Sequence, residues 1–292
     1  MEMLFLYKPS FKAVLSMCCF RIHFSFRFVI VLLPSAPGSS NMVSTEAARM
    51  TVGVLGNIVA LFLFLSPVPT FVQIWKKGSV EHYSPAPYLA TLVNCMVWTF
   101  YSLPMVHPHS TLVLTIDGAG IAIELTYLII FFIFSDRKKR LKFLLGLLIE
   151  LIFISVLTSL VLTLTHSHKE RSLIVGIIGI LFGIMMYASP LVVMKMVLTT
   201  RSVEYMPFFL SFTGFLSGLT WSTYALIQFD LFILVPSVVG VVFSMAQLIL
   251  YATFYKSTKR QIAEREGKTG QMDLLELVVN EEESKKVGSG AP

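Results

Sequence analysis

The sequence predicts an all-α polytopic membrane protein: seven transmembrane helices arranged as two parallel three-helix bundles joined by a linker helix, a 3+1+3 plan. Three observations predict it. Seven apolar stretches of about 20 residues follow one another with short polar breaks. Basic residues collect in alternate breaks, and the first three stretches recur as the last three.

Of the 292 residues, 55% are hydrophobic and 14% charged, more apolar surface than one water-soluble core hides, so lipid must cover the rest. The net charge of +6 lies in short clusters between apolar runs, the pattern of membrane loops and not of a nucleic-acid face. Cys18 and Cys19 are adjacent and Cys95 sits within an apolar run, which supports neither a disulfide framework nor a metal site.

Residues 1–49 are expected to form an N-terminal extension, disordered or dispensable. Its apolar stretch from Phe11 to Leu33 is broken by Lys12, Arg21, His23 and Arg27 and makes a poor spanning helix. It reads as a targeting segment, or as an upstream start with Met42 or Met50 beginning the working protein. The first bundle, 50–134, holds spans over 52–73, 86–105 and 111–134. Residues 135–172 carry the linker helix, 143–165, between SDRKKRLK from Ser135 and HSHKERS from His166. The second bundle, 173–256, holds spans over 173–197, 207–227 and 231–254, and 257–292 turn charged and polar, as a disordered cytosolic tail would.

Loops rich in Lys and Arg stay cytoplasmic. One set of alternate loops carries twelve basic residues, among them Lys76, Lys77, Arg137 to Arg140, Lys195, Arg201 and Lys256, against Lys169 and Arg171 in the other set. The first span therefore starts outside and the tail lies in the cytosol.

A shift of 123 positions superimposes Pro67 on Pro190, Ser79-Val80-Glu81 on Ser202-Val203-Glu204, Trp98 on Trp221 and Tyr101 on Tyr224. A shift of 120 aligns the third and seventh spans, Gly120 on Gly240 and Asp117 on Ser237. Three spans used twice need a fourth between them, or the second copy would enter the membrane inverted.

Each copy has a proline inside its first span, Pro67 and Pro190, and one where its second span starts, Pro87 and Pro207. Proline removes a backbone hydrogen bond and clashes with the preceding turn, so the four read as paired hinges, or as residues that only shape the helices. Trp98 lies too deep for an interfacial belt; with Trp221 it either stacks on the two faces of a sugar ring across a central cavity or packs helices together. Asp117 is a functional candidate because an intramembrane carboxylate is costly unless it meets water or a partner. Glu124, seven residues on, shares its face and reads as a structural hydrogen-bonding group. Ser237 follows Pro236, which frees a backbone carbonyl nearby. His166 and His168 read as a solvated loop. No nucleophile arrangement, phosphate loop or metal cluster occurs, so neither enzyme activity nor a cofactor is expected.

The strings GNIVALFLFLSPVPTF, LVNCMVWTFYSLP, MYASPLVVMK, TRSVEYMPFFLS and QLILYATFYKS carry a resemblance, over 50–256, to the SWEET family of plant sugar facilitators. The resemblance implies a uniporter that passes mono- or disaccharides down a gradient by rocking two three-helix bundles about proline hinges, without catalysis or cofactor. It implies a proline tetrad of Pro67, Pro87, Pro190 and Pro207. It implies a sugar site of Trp98 and Trp221 lined by Asn94, Met186 and Ser217, and an outer gate at Tyr101 and Asp230. Trp98 with the IELTYLIIFFIFSD string is most similar to the hexose-preferring branch, with sugars such as glucose. Plasma membrane is the implied location, with vacuolar or other internal membranes the alternative, and a homo- or hetero-oligomer, a trimer in particular, the implied assembly.

Asp117 and Ser237 stand where the family usually has asparagine, and Ser102 and Ala225 where it usually has glycine. An amide both donates and accepts, whereas these two replacements chiefly accept, so selectivity or rate is expected to shift. Two other functions follow: a transport-impaired homologue acting as an oligomer partner, or a carrier of another small solute such as an amino acid.

Overall fold

A computed structural model describes residues 39–80 and 83–288, and its secondary structure over them is helical. Residues 1–38 of the expected extension and 289–292 of the expected tail lie outside the described residues.

The helices are α1 (Ser39–Leu65), α2 (Val68–Lys77), α3 (Ala86–Tyr101), α4 (Thr111–Phe134), α5 (Arg137–Leu164), α6 (His168–Met185), α7 (Ala188–Thr200), α8 (Phe208–Ile227) and α9 (Leu231–Gly288). They make seven rods, because α1–α2 and α6–α7 are each one span broken in the middle. Five rods are long and apolar enough to cross a membrane: 44–77, 111–134, 137–164, 168–200 and the start of α9. Along α5, Leu141, Leu145, Ile149, Ile152 and Leu160 are exposed, a face that only lipid or another apolar surface satisfies. The chain is a multi-pass membrane protein.

Proline chemistry sets both breaks. In the first span the helix stops at Leu65 and restarts after Pro67, where Ser66 N–H and Ser66 Oγ both turn back to the Leu63 carbonyl, at 3.1 and 2.7 Å. In the fifth the break falls at Met186 and Tyr187, just before Pro190, whose ring would meet the carbonyl of Met186 four residues back. Pro87 and Pro207 differ from the expectation of four kinks. Pro87 is the second residue of α3 and Pro207 the residue preceding α8, positions where a missing N–H costs no helical bond.

Within the first unit α4 packs on α1, α2 and α3; within the second, α9 packs on α6, α7 and α8. The third helix therefore lies between the other two in both. Cross-unit packing is reciprocal: α1 lies against α8, and α3 against α6, the first helix of one unit on the second of the other. The linker α5 rests on α3 and α6. Equivalent apolar residues fill equivalent cores, Ile74 and Val80 in the first unit, Val197 and Val203 in the second.

Two boundaries differ from the sequence reading. Helix α1 begins eleven residues before position 50 and carries Arg49 as a buried side chain. Beyond 257, where composition predicts disorder, the backbone stays helical to Gly288. Tertiary contacts explain the start of that extension: Thr258 Oγ1 accepts from Val203 N–H at 2.8 Å, Gln261 Nε2 donates to the carbonyls of Thr200 and Arg201, and Arg265 pairs with Glu204 at 3.0 Å. Arg260 and Glu264 add an i,i+4 pair at 2.8 Å.

Candidate functional site

The repeat places α3 and α8 on opposite sides of the interface between units, and with α1, α4, α6 and α9 they line a cavity of about 300 Å³. Trp98, Asn94, Asp117, Met186, Ser217, Trp221 and Ser237 all line it. The wall also includes Pro236, whose freed carbonyl the sequence reading placed beside Ser237, and Phe64, Tyr187 and Ser244, which that reading did not select.

The two indoles are set by the same device. A Cβ on Gly179 of α6 would stand 3.1 Å from Trp98 Cζ2, and one on Gly56 of α1 would stand 3.3 Å from Trp221 Cε2. Gly56 and Gly179 are themselves 123 residues apart. Each tryptophan thus rests against a glycine of the other unit, and each meets a tyrosine three residues on edge to face. Trp98 and Tyr101 lie 5.4 Å apart at 78°, Trp221 and Tyr224 5.3 Å apart at 72°.

The polar lining is not symmetric. Asp117 stands half-buried on α4, in contact with the thiol of the fully buried Cys95. Its counterpart Ser237 donates its hydroxyl to the Ile233 carbonyl at 2.7 Å and offers the cavity lone pairs only. The Asn94 Oδ1 atom is buried without a protein partner. The carbonyl of Pro236, inside α9, accepts from Tyr187 Oη at 3.2 Å, and the Tyr187 ring stacks on Phe243. The wall can accept hydrogen bonds at several points and stack two flat aromatic faces on a ligand, which suits a polyhydroxylated ring with apolar faces.

One end of the cavity is sealed. Tyr101, fully buried, donates to both carboxylate oxygens of Asp230, at 3.1 and 3.0 Å, across the two units. Asp230 Oδ1 also accepts from the N–H groups of Phe232 and Ile233 and so caps α9. His107 stacks on Tyr101 at 4.7 Å, places Nε2 3.3 Å from Asp230 and meets Ser172 Oγ through Nδ1 at 3.0 Å. Burial lowers the His107 pKa below the ordinary imidazole value; the Asp230 carboxylate opposes that shift, and Arg49 and His109 add to it. Arg49 reaches the same layer from α1. At the other end α2 and α7 pack on the third helix of their own unit, without an equivalent cross-unit seal among the described contacts.

Pro67 and Pro190 sit at the helix breaks near that other end, and Pro87 and Pro207 at helix starts; none of the four lines the cavity. Glu124 is buried and has one carboxylate oxygen unpaired. His166 and His168 are exposed. Arg49, His107 and Ser172 were missed, because each lies outside the repeated identities and its role depends on which loop end meets which helix.

A family model described as a sugar efflux transporter for intercellular exchange matches the chain twice, at residues 50–139 and 173–259. The bidirectional sugar transporter SWEET4 of Oryza sativa is 54% identical over 250 residues, 86% of this chain and 96% of that protein. The bidirectional sugar transporter SWEET7 of Arabidopsis thaliana is 55% identical over 231 residues, 79% of this chain and 90% of that protein. The solved structure of a eukaryotic SWEET transporter superimposes with a TM-score of 0.71 at 36% identity, covering 73% of this chain and 99% of that chain.

Proposed function

Because the chain belongs to the SWEET family of sugar transporters, we propose that it carries sugars, hexoses such as glucose, in both directions across a membrane by alternating access. The observation that carries this reading is the central cavity with Trp98 and Trp221 at repeat-equivalent positions, sealed at one end by Tyr101 and Asp230. A sugar ring entering from the open end stacks between indoles while Asn94, Ser217, Asp117 and Ser237 meet its hydroxyls; Met186 completes the wall. Transport then needs only that the seal part and the opposite ends close, with no chemical step and no cofactor.

The breaks at Pro67 and Pro190 are the natural pivots, since each divides a span into one segment held against the other unit and one held within its own. Pro87 and Pro207 serve at the ends of the second helices, where the connecting loops must follow. We assign the sealed end to the outside, because Lys76, Lys77 and the 137–142 cluster lie at the opposite ends of their helices and positive loops stay cytoplasmic. Plasma membrane location and assembly into a homo- or hetero-oligomer belong to the same reading, as does the division into two working bundles around a linker.

The polar lining supports one other reading, a transport-impaired oligomer partner, since Ser237 spends its proton within α9. Both are tested by uptake and efflux of labelled glucose, fructose, galactose and sucrose in yeast lacking hexose carriers. Saturable two-way hexose flux establishes the transporter. Absence of flux from protein shown at the cell surface favours the partner.

A further inference from the structure

The seal has a second half. Under the 123-residue shift Tyr101 corresponds to Tyr224, Asp230 to His107, and Ser172 to Arg49. Both tyrosines are almost wholly buried, and each is engaged by a charged side chain of the opposite unit. Tyr101 of α3 donates to Asp230 at the start of α9. Tyr224 of α8 carries the Arg49 guanidinium over its ring, 4.2 Å from the centroid.

Arg49 does more than stack. Only 8% exposed, it donates from Nη1 to the His109 carbonyl at 3.0 Å and to Gln228 Oε1. His109 holds a left-handed backbone, φ 68°, which turns its carbonyl into the loop that follows α3. Gln228 follows directly on α8. One side chain on α1 therefore ties the α3–α4 loop of its own unit to the C-terminal end of α8 in the other. One nitrogen, Nη1, makes both bonds while the guanidinium plane lies over the Tyr224 ring, a stacking that a lysine ammonium on a flexible stem does less well.

We infer that Arg49 is a positioning residue for transport: a second latch that holds the His107 end shut, paired through the repeat with the Tyr101–Asp230 latch. For that end to open, α1 must leave the end of α8, and the ring contact and the bond to Gln228 break together. The inference rests on the alternating-access reading and adds a residue that the family model match, beginning at residue 50, leaves out.

The test is a distance distribution across the seal, in the full chain reconstituted in lipid, between spin labels at Met105→Cys and Phe229→Cys, both exposed residues at this end on opposite units. Cys18 and Cys19 are replaced by serine; Cys95 is buried. The wild type should show a dominant short distance. In Arg49→Gln the ratio of long to short distances should rise roughly tenfold, the size expected for losing a desolvated cation–π contact with its hydrogen bonds. Gln228→Met, a change at an exposed residue that folds even if Arg49→Gln does not, should raise it about threefold.

A lowered melting temperature in Arg49→Gln with the wild-type distribution overturns the latch and leaves a structural role. An unchanged distribution in Gln228→Met overturns it equally if Arg49→Gln fails to fold. Failure of the transport reading looks different: no hexose flux in yeast from wild-type protein shown at the cell surface, whatever the distance distributions of the variants.

Discussion

Trp98 lies against Gly179 so closely that one added methyl group would come within 3.1 Å of its indole, and 123 residues away Trp221 and Gly56 repeat the contact at 3.3 Å. Close approach across the unit boundary is thus what aims both aromatic faces into the cavity. Gly179→Ala should push the Trp98 ring off its place and lower hexose flux several-fold, while the melting temperature changes by only a few degrees, since overpacking by one methyl costs about 1–3 kcal/mol. Equal loss of flux in an Ala variant at Gly267, where no neighbour lies within 4 Å, would remove the argument.

Asp230 has two tasks that substitution separates. Asparagine keeps an oxygen for the Phe232 and Ile233 N–H groups while weakening the latch to Tyr101 and the contact with His107; alanine loses all of them. Asp230→Ala should therefore be less stable than Asp230→Asn by about 1 kcal/mol, the usual value of a helix N-cap. Chemical denaturation of the two purified variants measures it, and equal midpoints would count against the cap.

The asymmetric wall predicts a change of selectivity. Asp117→Asn together with Ser237→Asn supplies amide donors on both sides of the cavity, where Asp117 now faces Cys95 and Ser237 turns its proton to Ile233. The double variant should gain hexose affinity by about 1 kcal/mol per new hydrogen bond, read as a lower KM for glucose. Unaltered KM and unaltered sugar preference would show that these positions do not touch the ligand.

His107 gives the seal a pH dependence whose sign follows from its environment. Its pKa is lowered in the sealed form by burial and by Arg49 and His109, against the pull of Asp230. On opening, the imidazole regains water and its ordinary value. The sealed form therefore binds protons less readily: its advantage is complete above the ordinary imidazole pKa and declines as pH falls through the lowered one. Acidification should open the His107 end, seen as longer distances between labels at 105 and 229, and His107→Gln should flatten that response. A response of equal size in His107→Gln would assign it elsewhere.

Much of this was legible in the sequence because it repeats. The tryptophans, the tyrosines after them and the in-span prolines recur at one spacing, whereas Asn94, Met186, Ser217 and the pairing of Tyr101 with Asp230 were implied only by the resemblance to the family. Pro67 and Pro190, read as lying inside a span, break a helix, whereas Pro87 and Pro207, read as lying at span starts, occupy a first turn or cap and kink nothing, so the reading of all four as hinges gave the span-start pair too much. Arg49 was assigned to a dispensable extension because its acceptors are a backbone carbonyl, an amide and a ring, none of which leaves a mark in its neighbourhood. The helical start of the tail was hidden for the same reason, since Thr258 and Gln261 are ordered by a loop 60 residues earlier.

Helix α9 begins beside the residue that fastens one mouth of the protein and continues without a break past Thr258, where it grips the loop after α7. From Asp230 to Thr258 is about 40 Å of helix at 1.5 Å per residue, with Pro236 interrupting its hydrogen bonding one to two turns from the start. A helix of that length, free to flex where Pro236 meets the cavity wall, would act as a lever. A small tilt at the fastened mouth would then become a proportionate sweep at the far end, so that unlatching on one face of the membrane would be felt as movement on the other.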